Sequence, residues 1–140
     1  MDYLDSFIII DDDRINNKLC RKVIEKTYSD AGIMDFTDPV LGFEYINDTY
    51  SQPDFHKTAL LLLDISMPVM NAWDFLERFE NCSDLVKTRI KIYVLSSSID
   101  KEDMARAQSN KHVEYYLIKP LTQESIKLIV HVLQKRAGLI

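Results

Sequence analysis

The sequence predicts an α/β protein, a doubly wound sandwich with helices on both faces of a parallel sheet. Two observations carry that prediction. Short apolar runs of strand length recur along the chain, and a segment with helical period fills each gap between them. Strict alternation of the two implies right-handed crossovers and parallel strands. A length of 140 residues suits one domain, residues 1–140, around one well-buried core.

The elements follow in order. Residues 7–10 form an apolar, β-branched first strand. Ile15, Leu19, Val23 and Ile24 then recur at helical spacing, and one of Asp11, Asp12 and Asp13 is placed to cap that helix near Arg14. A weaker second strand, residues 33–36, follows Gly32 and stops before Asp38 and Pro39, which open a helix carrying Phe43, Ile46 and Tyr50. Residues 59–63 make the third strand, and Ala72, Phe75, Leu76 and Phe79 the stripe of the third helix. The fourth strand is residues 92–95, followed by a short helix over residues 100–108 that Asp100 can cap. Residues 115–118 form the fifth strand, and Thr122 caps a last helix carrying Ile126, Ile129, Val130 and Leu133. The polar stretches 51–58 and 81–89 read as surface loops, leaving five strands and five helices.

Composition narrows the function. A net charge of −5 with no basic stripe gives no attraction to phosphate backbones, so nucleic-acid binding is not expected. The longest apolar run, residues 59–63, is too short for a bilayer, and the acidic start over residues 1–5 lacks the basic head of a signal peptide. A cytoplasmic protein with no membrane partner is expected. Cys20 and Cys82 lack a CxxC spacing and His56, His112 and His131 are isolated, which argues against a disulfide framework or a zinc site.

In open parallel sheets the functional crevice lies at the carboxyl ends of the strands. There the sequence places Asp11, Asp12 and Asp13 after the first strand, Asp64 after the third, Ser96, Ser97 and Ser98 after the fourth, and Lys119 and Pro120 after the fifth. A cap explains one of the aspartates, not three beside Asp64. Carboxylates gathered on neighbouring strand ends repel one another, so the cluster makes chemical sense around a hard divalent cation, Mg2+ rather than zinc. Asp64 can act as a nucleophile toward phosphorus, with Lys119 as a fixed cation and Ser96 as a hydroxyl donor for the phosphoryl oxygens.

The motifs Phe7-Ile8-Ile9-Ile10-Asp11-Asp12-Asp13, Leu62-Leu63-Asp64-Ile65-Ser66-Met67-Pro68, Val94-Leu95-Ser96-Ser97-Ser98 and Tyr116-Leu117-Ile118-Lys119-Pro120 together resemble the receiver domain of two-component response regulators, of the stand-alone CheY-like kind. The resemblance implies a flavodoxin-like sheet of strand order 2-1-3-4-5. It implies Asp64 as phosphoacceptor, Asp11 and Asp12 with Asp64 and the Ser66 backbone carbonyl as Mg2+ ligands, Ser96 as switch hydroxyl, Lys119 as phosphate contact and Tyr116 as aromatic switch. Ser66 and Ser98 occupy its tuning positions, flanking the path of attacking water; both are small and uncharged, which implies an intermediate phosphoryl lifetime. The donor would be a sensor histidine kinase or a histidine phosphotransfer protein, and the chain would catalyse its own phosphorylation and dephosphorylation alone.

Two departures from the family pattern stand out. Ser96 replaces the commoner Thr and lacks the methyl that restricts rotation. Asn71-Ala72 replaces Asp-Gly, which implies an altered turn or a helix that begins slightly earlier. No output segment follows the last helix, so output through contacts with a downstream protein is expected. Two rival readings remain: a haloacid dehalogenase-type phosphatase with Asp11 as nucleophile, and a receiver-like binding module that takes no phosphate.

Overall fold

A computed structural model of the chain describes Leu4 and residues 6–140. The acidic start over residues 1–5 therefore lies, Leu4 apart, outside the described residues. The elements are β1 (Ser6–Ile10), α1 (Arg14–Thr27), β2 (Gly32–Phe36), α2 (Pro39–Tyr50), β3 (Ala59–Leu63), α3 (Ala72–Glu80), α4 (Asp84–Arg89), β4 (Ile90–Ser96), α5 (Lys101–Ser109), β5 (Val113–Ile118) and α6 (Gln123–Arg136). All strand pairs are parallel, in the order β2-β1-β3-β4-β5.

Alternation along each strand divides the core into two layers. Ile8, Ile10, Leu61, Leu63, Ile92, Val94 and Tyr116 pack with Phe43 and Ile46 of α2, Phe75 and Phe79 of α3 and Ala107 of α5. On the other face Phe7, Ile9, Leu60, Leu62, Tyr93 and Leu95 pack with Cys20 and Ile24 of α1 and Ile126, Val130 and Leu133 of α6. Gly42 brings α2 close to the sheet, since a Cβ there would stand 2.7 Å from Ile10 Cδ1.

Capping follows the sequence. Asp13 accepts from the Ile15 N–H at 2.9 Å, Asp38 from Val40 at 2.9 Å, Asp100 from Glu102 at 2.8 Å and Thr122 from Ser125 at 3.1 Å. The Asn71-Ala72 departure resolves as a helix start. Asn71 is the N-cap of α3 in a reciprocal box with Asp74, while Ala72 is buried and donates its N–H to the Ile65 carbonyl at 3.0 Å. The left-handed residue in this loop is Val69, at φ 71°, where the Met70 N–H closes a tight turn on the Pro68 carbonyl at 2.8 Å.

Two expectations need correction. Residues 81–89 are not wholly a loop, because α4 raises the helix count among the described residues to six. Ser83 caps it, Asp84 opens it and Lys87 and Arg89 close it, yet Val86 is its one buried residue, so no apolar stripe announces it. Arg89 also pins the 51–58 connection by donating to the Tyr50 and Gln52 carbonyls at 3.0 and 2.7 Å. The stripe assigned to α1 is rotated as well. Ile15 and Leu19 are exposed, and the buried face is Asn16, Asn17, Cys20 and Ile24. Cys20 and Cys82 are free thiols. No helix among the described residues is long and apolar enough to cross a membrane.

Candidate functional site

Backbone pairing carries the sheet one residue beyond its strands and so sets the site. The Asp11 N–H donates to the Phe36 carbonyl at 3.1 Å, Asp64 to Ile10 at 3.0 Å and Lys119 to Ser96 at 2.9 Å. Three candidate side chains are thereby fixed at the carboxyl edge by the ladder itself. Carboxylate oxygens of Asp11, Asp12 and Asp64 all lie within 4.8 Å of one another, with Asp11 and Asp64 buried and Asp12 exposed.

The Lys119 ammonium bridges the two buried carboxylates, 2.7 Å from Asp11 Oδ2 and 3.4 Å from Asp64 Oδ1. Asp11 is the more tightly held. Its Oδ1 accepts from the Asp13 N–H at 2.9 Å and its Oδ2 from Asn16 Nδ2 at 2.8 Å. Asn17 Nδ2 donates to the Asp11 backbone carbonyl at 3.0 Å. The rotated face of α1 now has a reason. The first turn of that helix sits behind the acidic cluster and must present donors rather than methyl groups.

Electrostatics show a cluster that one lysine leaves undercompensated. Burial and then the Asp11 charge push the Asp64 carboxyl up to about 6, against the opposing pull of Lys119. Burial draws the Lys119 ammonium down, but the hydrogen bond to Asp11 and the charges of Asp11 and Asp64 outweigh it and hold the group above its ordinary value. An all-oxygen set with excess negative charge fits a hard divalent cation such as Mg2+.

The remaining predicted residues surround this centre. Ser96 is buried at the end of β4, and its Oγ accepts from the Ser98 N–H at 3.1 Å. Tyr116 is buried beside Ala107, with its hydroxyl donating to the Ser98 carbonyl at 2.8 Å. Ser66 is exposed and lines a cavity of about 540 Å3 with Ile65, Met67, Pro68, Asn71, Trp73 and Asp103. The Ser98 hydroxyl donates to Asp103 Oδ2 at 2.9 Å. Asn16 and Asp103 were not anticipated. The available signal for Asn16 was a pair of amides at the start of α1, on the side of that helix left polar by the apparent stripe. His112, read as isolated, meets the Glu80 carboxylate.

The fold and this acidic edge define a two-component signalling module. The chain matches the response regulator receiver domain family over residues 7–131 and belongs to that family. A two-component response regulator from Cytophaga hutchinsonii superposes with a TM-score of 0.84 at 28% identity, covering 95% of this chain and 98% of that one. A receiver protein from Dyadobacter fermentans gives 0.79 at 26% identity, covering 93% and 95%. Among curated relatives, an "uncharacterized response regulatory protein" of Staphylococcus epidermidis is 30% identical over 92% of this chain and 46% of its own length. A "probable methanogenesis regulatory protein" of Methanothrix harundinacea is 37% identical over 51% of this chain and 44% of its own. The chain thus spans less than half the length of these two curated relatives.

Proposed function

We propose that Asp64 accepts a phosphoryl group from a phosphohistidine donor, a sensor histidine kinase or a histidine phosphotransfer protein, in the cytoplasm, and that the phosphorylated chain signals to a protein partner by changing conformation. The observation that carries this reading is the Lys119 ammonium set between Asp11 and Asp64 inside a three-carboxylate cluster. Asp11 spends its oxygens on Asp13, Asn16 and Lys119, while Asp64 is held more loosely, by the longer Lys119 contact and the Ile65 backbone. The less engaged carboxylate is the better nucleophile. That asymmetry speaks against a phosphatase using Asp11, as does the use of Asp13 to cap α1.

Asp11, Asp12, Asp64 and the Ser66 carbonyl would hold Mg2+, which when bound neutralises charge on the phosphoryl oxygens. Lys119 is positioned to exchange its contact with Asp64 for one with a phosphoryl oxygen. Ser96 accepts from the Ser98 N–H, which leaves its own hydroxyl proton free to be donated there. Tyr116 would report the change on the surface made by α5, β5 and α6. These groups serve the chain's own phosphorylation, in which Asp64 takes the phosphoryl group and the donor keeps the freed histidine, and its reversal, in which water takes the group from Asp64.

Labelling by acetyl phosphate with Mg2+ tests the assignment. Asp64→Asn should abolish it, and undiminished labelling would overturn Asp64 as acceptor. Asp12→Ala should weaken Mg2+ binding in a fluorescence or calorimetric titration, because one carboxylate fewer faces the ion. Ser66→Arg and Ser98→Glu should each change the dephosphorylation rate while leaving phosphorylation possible.

A further inference from the structure

The loop between β4 and α5 converges on Ser98. Its N–H donates to Ser96 Oγ at 3.1 Å and its carbonyl accepts from the Tyr116 hydroxyl at 2.8 Å. Its hydroxyl accepts from the Asp100 N–H at 3.2 Å and donates to Asp103 Oδ2 at 2.9 Å. Asp100 is the N-cap of α5, so Asp103 is its third helical residue. In an ordinary capping box that third side chain reaches back to the N-cap N–H directly. Here the Ser98 hydroxyl stands between the two. The start of α5 is therefore fastened to the loop residue that also touches Ser96 and Tyr116.

The energetics rank these bonds. A hydroxyl donating to a carboxylate is roughly twice as strong as a neutral pair, and the positive end of the α5 dipole favours the Asp103 charge. Ser98 therefore follows Asp103 and α5 more firmly than it follows Ser96. When the Ser96 hydroxyl turns toward a group on Asp64, the bond from the Ser98 N–H is strained first. The Asp103 link passes that strain to the helix. Asp103 also lines the cavity with Ser66 and Met67 of the acceptor loop, so one carboxylate borders both loops of the crevice.

We propose that Asp103 is a positioning residue which, acting through Ser98, makes α5, the Tyr116 hydroxyl and the Ser96 hydroxyl respond as one unit to occupancy of Asp64. The coupling rests on the reading of Asp64 as acceptor, and the experiment separates the two. Amide NMR spectra of the full chain are compared with and without saturating beryllofluoride and Mg2+, in the parent protein, Ser98→Ala, Asp103→Ala and Asp103→Asn. Ile65 reports on the acceptor, Met104 and Ala107 on α5, and Tyr116 on the switch.

In Ser98→Ala the freed Asp103 carboxylate can close an ordinary box on the Asp100 N–H, so α5 stays capped while the link to the loop is cut. In both alanine variants the Ile65 shift should persist, while the α5 and Tyr116 shifts fall by about twofold or more, as differential coupling requires. Asp103→Asn, whose amide oxygen still accepts from Ser98 but without the charge, should restore part of the response. Full responses in both alanine variants would overturn the coupling. So would a loss confined to Asp103→Ala, which would reduce Asp103 to a helix cap. If Ile65 fails to respond in the parent chain, the acceptor reading falls and the coupling falls with it.

Discussion

Val69 combines a β-branched side chain with a φ of 71° and is 93% exposed. Nothing packs well enough against it to offset the left-handed backbone, which costs about 1–2 kcal/mol for an L-residue. Val69→Asn should therefore raise stability by about 1 kcal/mol in urea unfolding, because Asn tolerates this region. Val69→Gly should gain less, since glycine loses more chain entropy on folding. Asn16 lies at the opposite extreme, buried and donating to the Asp11 carboxylate. Asn16→Ala removes a bond to a charged group and should cost about 1.5–3 kcal/mol in the same assay. Asp64 contributes to the pH response of the chain in chelator. Its folded carboxyl stands at about 6, above its ordinary value of 3.8, so the fold favours the protonated form. Its contribution is full below the ordinary value and is lost as pH rises through about 6. In chelator, the thermal midpoint of the parent chain should fall across that window, and Asp64→Asn should flatten the fall.

At the level of elements, α2 approaches β1 so closely that Gly42 leaves no room for a branched side chain. Gly42→Val should overpack Ile10 and destabilise by about 1–3 kcal/mol, with the denaturant midpoint as the readout. The far end of α3 is tied differently, through Glu80 to Lys111 at 3.0 Å and to His112. Those partners, His112 before Lys111, hold the Glu80 carboxyl down to about 2. This contribution is complete above the ordinary carboxylate range and disappears as pH falls through about 2, so Glu80→Gln should lower stability at neutral pH and make no difference at the acid limit. The sequence made the acidic centre legible because Asp11, Asp64 and Lys119 each follow an apolar run directly, and a strand end has one place to put the next side chain. It hid Asn16 and Asp103 because helical side chains reach the crevice from the first turn, where no run of neighbours marks their direction. It hid α4 because six residues with one buried side chain carry no period. In α1 the periodic stripe held for Val23 and Ile24 and failed in the first turns, where the need for donors behind Asp11 outweighed the burial of Ile15 and Leu19.

Across the whole molecule, the parallel order gathers Asp11, Asp64, Ser96 and Lys119 at the carboxyl edge of the sheet and leaves the other edge to structure. Arg89 holds the 51–58 connection there, and Glu80 holds the start of β5. Both ends of the described chain also belong to that second edge. Leu4 borders a cavity with Tyr28, Asp30 and Lys57, in the connections that lead into β2 and β3. Arg136, closing α6, donates to Glu114 near the start of β5 at 2.5 Å. Leu4 and the end of α6 thus lie on the side away from the acidic cluster. A reporter protein joined through a short flexible linker after α6 should therefore leave the acidic face clear, and the fusion should bind Mg2+ with the affinity of the unfused chain in a calorimetric titration. A receiver built this way can be carried on other machinery by its base while its reactive edge stays open to whatever approaches.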